Sequence, residues 1–317
     1  MAHIRIPKGW EIPERQATPE HVYLNHSLNL GLNRRKFLAT MGAAALGSAV
    51  PRLLRAQEKL YPAKRNPAYQ LDRPVTDEFV VTRYNNFYEF TGSKSQVRHL
   101  AVNLKTDPWT VSVSGLVRRP QVFDFSTLVR QFPLEERLYR LRCIEAWSMA
   151  VPWTGFPFKA LMDAVDPTPD ARFVRLVSFH RPAEAPNQRL KPEHPWPHSQ
   201  GLTIAEAANE LAFLATGMYG HALPKQNGAP IRIVVPWKYG FKSLKSIVAI
   251  EFVAVQPRTF WSDISPHDYH FSANVDPTET YQGNSQATEQ DIGTGDVHPT
   301  FHYNGYGSFV ARLYEPR

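Results

Sequence analysis

The sequence predicts an α+β fold built from mixed sheets with few helices. Short runs rich in β-branched and aromatic residues recur along the chain, segments with helical spacing are rare, and the two do not alternate regularly. Regular alternation would instead predict βαβ units and a parallel sheet. With 317 residues, the chain is long enough to bury a substantial core in one large domain or in two closely packed lobes.

The strand predictions rest on residue content and on partial alternation of apolar and polar residues. Each run has a length that is ordinary for a strand. The six predicted strands are Phe79–Arg83, Trp109–Ser114, Leu138–Ile144, Arg172–Ser178, Ile231–Pro236 and Ser246–Val255.

Three segments carry helical signals. Ser126 is predicted to cap a short helix that ends near Pro133. The segment Phe158–Val165 has apolar residues at helical spacing, and a proline follows it closely. The segment Thr203–Leu214 also has apolar positions at helical intervals. The predicted helices are therefore few and short.

The first 56 residues are predicted to be a twin-arginine signal peptide. Arg34 and Arg35 precede the small apolar run Phe37–Val50, which has fourteen residues, against the roughly 20 that a membrane-spanning helix needs. Cleavage is predicted after Ala49 or Ala56, because both are small residues. The alternative, an internal helix with a chance pair of arginines, is disfavoured by the glycines of the run. We expect export to the periplasm.

Residues 57–78 are predicted to form an extended arm, because they are rich in proline and charge without periodicity. Residues 79–317 have the recurring short apolar runs that are typical of a globular domain. Two long segments, Arg181–Gln200 and Gln256–Pro299, exceed what compact domains need as connections, so we expect them to form functional walls that admit a substrate.

The charge of the chain gives no sign of a nucleic-acid partner. The whole chain carries 36 basic and 29 acidic residues, a net charge of +7. Residues 1–56 hold eight of the basic and three of the acidic residues, which leaves 28 and 26 in the remainder. No basic block is interleaved with aromatic residues. Binding to nucleic acid is therefore not expected.

Cys143 is the single cysteine of the chain. In an oxidising compartment cysteines usually pair, so an unpaired one is a buried small hydrophobe, an intermolecular partner, a reactive thiol or a metal ligand. The twelve histidines offer no local Cys/His signature for a nucleophile. Zinc and iron–sulfur sites require several clustered ligands, whereas a metal that brings most of its own ligands needs only one thiolate.

Four segments together resemble a known family. They are Tyr84-Asn85-Asn86-Phe87-Tyr88-Glu89-Phe90, Arg142-Cys143-Ile144-Glu145-Ala146-Trp147-Ser148-Met149, Gln226-Asn227-Gly228-Ala229-Pro230 and Pro236-Trp237-Lys238-Tyr239-Gly240-Phe241-Lys242. In this order they are similar to catalytic subunits of periplasmic protein-methionine-sulfoxide reductases. Ser285-Gln286-Ala287-Thr288-Glu289 and Asn304-Gly305-Tyr306 match as well. The resemblance implies the sulfite-oxidase-like, molybdopterin-binding fold.

The resemblance also implies the cofactor and its ligands. Molybdenum would be bound by Cys143 and by the dithiolene sulfurs of one molybdopterin without an added nucleotide, a donor set that suits a soft thiolate. The residues implied in cofactor binding are Asn85, Tyr88, Glu89, Ser178, Asn227, Arg232, Ser243, Leu244 and Lys245. Ser178 replaces the threonine of the family and keeps its hydroxyl. Glu145 and Asn86 are predicted to handle protons near the metal.

The implied activity is oxygen-atom removal from methionine sulfoxide in oxidised periplasmic proteins. The chain has no haem or flavin motif, so the electrons would come from a haem-bearing inner-membrane subunit. One alternative is a sulfite-oxidase-type enzyme that acts on a small sulfur oxyanion or another S- or N-oxide. Such chains usually carry an additional C-terminal domain. A second alternative is an exported binding protein whose thiol is structural, which predicts no metal.

Overall fold

The computed structural model describes residues 60–281 and 283–315. Within this part of the chain, two larger sheets and a two-stranded hairpin are accompanied by short helices, and both larger sheets combine parallel with antiparallel pairs. The predicted α+β class with mixed sheets and few helices is confirmed. The twin-arginine segment and both predicted cleavage sites lie outside the described residues. No helix of the described residues is long and apolar enough to cross a membrane.

The strands are numbered in chain order. The eight-stranded main sheet contains β1 (Lys64–Arg65), β4 (Glu135–Arg142), β5 (Trp147–Pro157), β8 (Phe213–Met218), β9 (His221–Ala222), β10 (Arg232–Val234), β14 (Thr288–Asp291) and β15 (Val297–Pro299). The five-stranded sheet has the order β3 (Gln121–Asp124), β2 (Thr110–Gly115), β11 (Ile247–Val253), β6 (Phe173–Ser178) and β7 (Ser199–Thr203). The hairpin consists of β12 (Thr280–Tyr281) and β13 (Asn284–Ser285).

The α-helices of the described residues are four to eight residues long. They are α1 (Glu78–Val81), α2 (Val97–Leu100), α3 (Phe125–Gln131), α4 (Phe158–Val165), α5 (Pro186–Leu190), α6 (Ile204–Ala208), α7 (Phe260–Ile264) and α8 (Gly307–Val310). Single 3₁₀ turns lie at 101–103, 225–227, 240–242, 302–305 and 311–313.

The hairpin formed by β4 and β5 is the centre of the main sheet. The two strands pair antiparallel from Glu135 with Gly155 to Arg142 with Ser148. The other edge of β5 pairs with both β14 and β8. All residues of β5 except Pro157 are buried, including the polar Ser148 and Thr154, so the strand shows no regular alternation of apolar and polar residues. The sequence prediction missed β5 for this reason.

Helix α4 has the predicted bounds. Its buried residues Phe158, Leu161, Met162 and Val165 recur at helical spacing and join the main apolar core. The helix ends at Val165, and its C-cap Asp166 has a left-handed φ of 57° and donates its N–H to the Met162 carbonyl. Local spacing and tertiary packing agree here, which explains why the prediction was accurate.

One predicted strand is wrong. Residues 79–83 do not form a strand, because helix α1 begins at Glu78 and ends at Val81. The Asp77 carboxylate caps this helix by accepting a hydrogen bond from the Phe79 N–H. The local cap therefore overrides the β propensity of a valine pair. The other five predicted strands each overlap an observed strand, although several ends shift by one to three residues.

Two helix predictions need correction at their ends. Helix α3 is capped by Asp124, whose carboxylate accepts from the Ser126 N–H, so Ser126 itself lies inside the helix. Helix α6 has a capping box between Thr203 and Glu206 but ends at Ala208. The last residues of the predicted helix 203–214 instead enter β8, which is completely buried in the main sheet. Sheet pairing determines the structure there.

The first described residues lie along the main sheet. Strand β1 pairs parallel with β4, and the Tyr61 hydroxyl donates to the Thr216 carbonyl at 2.8 Å. Farther along, Arg73 forms a 2.8 Å ion pair with the buried Glu289 of β14. These contacts tie residues 60–78 to three strands of the sheet that carries the central hairpin.

Candidate active site

A cavity of about 320 Å³ lies where the turn after β4 meets the residues around Asn85 and Lys245. This volume lies in the range of small-molecule and cofactor pockets. Eleven of the twelve residues that the sequence predicted for the site line it: Asn85, Asn86, Tyr88, Glu89, Cys143, Glu145, Asn227, Arg232, Ser243, Leu244 and Lys245. They come from segments up to 160 residues apart, and the fold brings them together.

Cys143 lies in the turn between β4 and β5. The Cys143 N–H donates to the Trp147 carbonyl at 2.8 Å, and the Ala146 N–H donates to the Cys143 carbonyl at 3.1 Å. Ala146 adopts a left-handed φ of 62°, which closes the turn. The buried thiol is free, and burial together with the neighbouring Glu145 raises its pKa to about 12. The predicted position, at the end of a strand and facing a cavity, is confirmed.

Glu145 and Asn86 lie beside the sulfur. Asn86 Nδ2 is 3.5 Å from Cys143 Sγ and donates to Glu145 Oε2 at 2.9 Å. The Glu145 carboxylate also accepts from Trp147 Nε1 at 3.0 Å and from Lys94 Nζ at 3.0 Å. Burial opposes ionisation of Glu145, but these three donors hold its pKa below the ordinary value. The carboxylate remains 47% exposed, so solvent reaches it.

Two cations, the buried Arg232 and the half-buried Lys245, lie at another part of the cavity wall. Arg232 donates to the carbonyls of Asn227 at 2.9 Å and Ser243 at 3.0 Å, and its pKa is lowered to about 9 by burial. Lys245 Nζ donates to the Asn86 carbonyl at 2.7 Å. Burial, followed by the charge of Arg232, lowers the pKa of Lys245 to about 7. Neither cation has an ion pair with a carboxylate among the described residues.

Comparison with known proteins identifies the family. The family model of the oxidoreductase molybdopterin binding domain matches residues 99–261. The chain is 43% identical over 319 residues to the protein-methionine-sulfoxide reductase catalytic subunit MsrP of Burkholderia mallei, covering 96% of this chain and 94% of the relative. The chain belongs to the protein-methionine-sulfoxide reductase catalytic subunit family. The predicted family resemblance is therefore confirmed.

Among solved structures, the chain is similar to the sulfane dehydrogenase SoxCD from Paracoccus pantotrophus. The TM-score is 0.43 and the sequence identity 16%, and the match covers 68% of this chain and 55% of that one. The chain thus spans about half the length of that structure. The assignment of a molybdopterin-binding domain is based on the family match, which extends from α2 to α7.

The donor set of the cavity fits the cofactor of the reductase family. Among residues 60–281 and 283–315, Asn85 Nδ2 and Asn227 Oδ1 are buried without a hydrogen-bond partner. Buried polar atoms are rarely left unpaired, and a pterin ring presents complementary donors and acceptors. The unpaired cations Arg232 and Lys245 suit an anionic phosphate. Within the described residues, no group of three or more His, Cys, Asp or Glu side chains could hold a metal ion. Cys143 suits a metal that brings its other ligands.

Ser178 is the one predicted site residue that does not line the cavity. Its buried hydroxyl donates to the Lys245 carbonyl at 2.9 Å and to the Ser246 carbonyl at 3.4 Å. Ser178 ends β6, and its contacts hold the segment that carries Lys245. The Ser178 side chain therefore contacts the main chain of the cavity wall and does not face the cavity itself.

The sequence interpretation missed the residues that hold Tyr88 and Glu89. Asn187 binds the main chain on both sides: its Nδ2 donates to the Tyr88 carbonyl at 2.7 Å and its N–H to the Glu89 carbonyl at 3.0 Å. Lys191 donates to the Tyr88 hydroxyl at 2.6 Å, and His198 Nδ1 lies 3.3 Å from Glu89 Oε1. All three lie in the segment Arg181–Gln200, which the sequence indicated only as a functional wall.

Aromatic side chains form much of the remaining wall and were also missed. Seven cavity-lining aromatic rings were not predicted for the site: Tyr84, Phe87, Trp147, Trp153, Phe241, Trp261 and Tyr269. Aromatic residues are frequent throughout this chain, and no local pattern distinguishes these from core residues. Tyr84, Phe87, Trp147 and Phe241 lie within the segments that carry the family resemblance, whereas Trp261 and Tyr269 were indicated only by the length of the segment Gln256–Pro299.

Proposed function

We propose that this chain reduces methionine sulfoxide in oxidised periplasmic proteins to methionine at a molybdenum centre. The observation that carries the proposal is the 43% identity over nearly the whole chain to a protein-methionine-sulfoxide reductase catalytic subunit. The geometry supports it, because the single thiol opens onto a cavity whose other walls supply unpaired polar atoms and unpaired cations.

Each part of the cavity has a role in this proposal. Cys143 is the protein ligand of molybdenum. Asn85, Tyr88, Glu89 and Asn227 hold the pterin, and Arg232, Ser243, Leu244 and Lys245 hold the phosphate of a single molybdopterin without an added nucleotide. Arg232 presents a planar set of donors, whereas Lys245 supplies a point charge. Ser178 supports this wall through the Lys245 carbonyl.

The overall reaction breaks the sulfur–oxygen bond and consumes two electrons and two protons, giving methionine and water. When bound, the molybdenum–molybdopterin group supplies the two-electron chemistry of oxygen transfer. The chain binds and orients the sulfoxide. Asn86 Nδ2, which lies 3.5 Å from the Cys143 sulfur, is placed to donate to the sulfoxide oxygen. Glu145 is half exposed and adjacent, so it can pass protons from solvent to that oxygen.

The electrons come from another protein in this proposal. A haem-bearing inner-membrane subunit would deliver them, and oxidised exported proteins would be the substrates. Export by the twin-arginine route would place the chain in the periplasm, where both partners are accessible. The exposure of Asn86 and Glu145 at the cavity supports the proposal of a protein substrate, because a large molecule can reach these side chains from solvent.

The test is reductase activity of the purified chain with reduced viologen as electron donor. The substrate is a methionine-rich protein oxidised to its sulfoxide, and the same protein before oxidation is the control. Parent and Cys143→Ser are assayed side by side, with the molybdenum content of both recorded. We expect turnover and bound molybdenum in the parent and the loss of turnover in the variant, because a hydroxyl is a poor ligand for a soft metal centre.

The outcomes separate the alternatives. A molybdenum-loaded parent without turnover would retain the cofactor and reject the substrate. Oxidation of sulfite by the same preparation would indicate the sulfite-oxidase type instead. Absence of molybdenum from the parent expressed with a full supply of cofactor would reject the enzyme and leave a binding protein with a structural thiol.

A further inference from the structure

The cavity wall has two chemically different sides. Near the thiol it is polar and solvent-accessible, with Asn86 and Glu145 both exposed. Phe241, Trp261 and Tyr269 contribute an aromatic side. A cavity for a purely anionic substrate would not need the second side, because anions are bound by cations and by N–H donors. The aromatic side therefore indicates that the substrate also has an apolar part.

The aromatic side is an ordered group of rings. The rings of Trp261 and Tyr269 stack with their centroids 5.1 Å apart and an interplanar angle of 26°. Phe241 meets Tyr269 edge to face at 5.0 Å and 85°. Trp261 also contacts the Tyr88 ring at 5.0 Å. Each of these rings is held by at least one other, so the surface that they present is preorganised.

Trp261 differs from the other tryptophans of the cavity. Trp147 and Trp153 belong to the main buried apolar core, and Trp147 Nε1 is bonded to Glu145. Within the described residues, Trp261 is a member of neither buried apolar cluster, although it is only partly exposed and lines the cavity. One edge of Trp261 packs on the buried Phe260 ring at 5.2 Å, and the side chain remains partly exposed where it lines the cavity.

A methyl sulfoxide matches the two sides of the cavity. Its oxygen carries negative charge and needs donors, while its sulfur and methyl group are apolar and polarisable. Sulfur makes favourable contacts with aromatic rings at about 5 Å. When the oxygen lies near Asn86, the methyl group and side-chain carbons need an apolar surface, and the stacked rings provide one.

We propose that Trp261 determines specificity by receiving the S-methyl end of methionine sulfoxide on its ring, with Tyr269 supporting that ring from behind. This inference rests on the proposed reductase function and names the contact that selects its substrate. Trp261 then stabilises the substrate and the transition state equally. Its loss raises KM and leaves kcat unchanged.

The test compares Trp261→Leu, Trp261→Phe and Trp196→Leu with the parent enzyme. The substrate is a short peptide with one methionine sulfoxide, and kcat, KM and molybdenum content are measured for each protein. Trp196 is the matched control, because it stacks on the Tyr88 ring but does not line the cavity. We expect Trp261→Leu to raise KM between about two- and tenfold. Trp261→Phe and Trp196→Leu should keep the parental KM.

Several results would overturn the inference. An unchanged KM in Trp261→Leu would show that the ring does not contact substrate. A lower kcat at parental KM, or a loss of molybdenum, would place Trp261 in cofactor positioning. Equal effects of Phe and Leu at position 261, or an equal effect of Trp196→Leu, would indicate general packing. If the parent itself does not reduce the peptide, the reductase function fails as well, which distinguishes that failure from the others.

Discussion

The side-chain amides of Asn85 and Asn227 are joined by a hydrogen bond of 3.0 Å across 142 residues of sequence. Asn227 Nδ2 is the donor, and it also donates to the Val81 carbonyl at 3.1 Å. The pair leaves Asn85 Nδ2 and Asn227 Oδ1 without partners among the described residues. Asn227 Nδ2 and Asn85 Oδ1 thus connect the segments that carry the two residues. The other two amide atoms, Asn85 Nδ2 and Asn227 Oδ1, are available to a ligand.

Replacement of Asn227 tests whether its amide both stabilises the fold and binds the cofactor. Asn227→Ala removes both hydrogen bonds and leaves Asn85 Oδ1 unpaired, so we expect the free energy of unfolding to fall by about 1–3 kcal/mol. Because one polar partner of the cofactor is lost, the purified variant should also contain less molybdenum. Urea unfolding and elemental analysis measure the two effects.

Asn66→Ala is the matched control, because Asn66 donates to Glu135 Oε2 at 2.7 Å and does not line the cavity. It should keep the parental molybdenum content. If Asn227→Ala also kept the parental content, the unpaired amide atoms would have no role in holding the cofactor.

Glu145→Gln tests the proposed proton transfer. The variant keeps the shape of the side chain but removes the acid–base group, so we expect kcat to fall about 100-fold at unchanged molybdenum content. Steady-state kinetics with an oxidised protein substrate measure this change. Glu251→Gln serves as the control, because Glu251 pairs with Arg175 at 2.8 Å and does not line the cavity. Parental kcat in Glu145→Gln would exclude the carboxylate from the reaction.

The buried pair of Glu206 and Lys238 makes stability depend on pH. Burial raises the pKa of Glu206, but the ammonium of Lys238 at 2.5 Å outweighs burial, so the pKa lies below its ordinary value of 4.5. A depressed carboxyl pKa stabilises the fold above about pH 4.5, and this contribution is lost as the pH falls through the folded-state pKa. The protein should therefore lose stability in acid.

Glu206→Gln leaves Lys238 buried without its partner, so we expect a loss of about 3–5 kcal/mol at pH 7. The difference from the parent should shrink as the pH falls below 4.5, because Glu206 then binds a proton in the unfolded parent but not in the folded parent until the lower folded-state pKa is reached. Urea unfolding at a series of pH values measures it. Asp163→Asn, which removes an exposed pair with Lys159, should cost at most about 0.5 kcal/mol. A difference between Glu206→Gln and the parent that is the same at pH 3.5 and at pH 7 would contradict this account.

Secondary structure was predicted correctly from the sequence where the local spacing of apolar residues agrees with their tertiary packing. Helix α4 illustrates this agreement, since its four buried residues follow the helical period. Strand β5 illustrates the opposite case, because burial on both faces removes the alternation that identifies a strand. The segment after Ala208 has helical spacing but becomes β8, because pairing with β5 and β10 determines its structure.

The site was predictable only through the family resemblance. Asn227-Gly228 alone would indicate a turn, and Gly228 indeed has a left-handed φ of 103°. Its neighbour Asn227 nevertheless faces the cavity. Asn187 and Trp261 lie in segments without a motif, so their positions depend on tertiary packing that no local pattern encodes.

Gly155 allows close contact between the two strands at the centre of the main sheet. It lies in β5 at the register shift opposite β8, where a Cβ atom would overlap the Leu214 carbonyl oxygen. Gly155→Ala must therefore separate β5 from β8, and we expect a loss of about 1–3 kcal/mol in the free energy of unfolding. Strand β5 follows the Cys143 turn, and β8 pairs with the strand of Arg232, so molybdenum content should fall as well. Gly307→Ala is the control, because its Cβ would meet only the Tyr303 ring at an ordinary 3.7 Å. If both variants unfolded at the same urea concentration as the parent, the two strands would have room to move apart without cost.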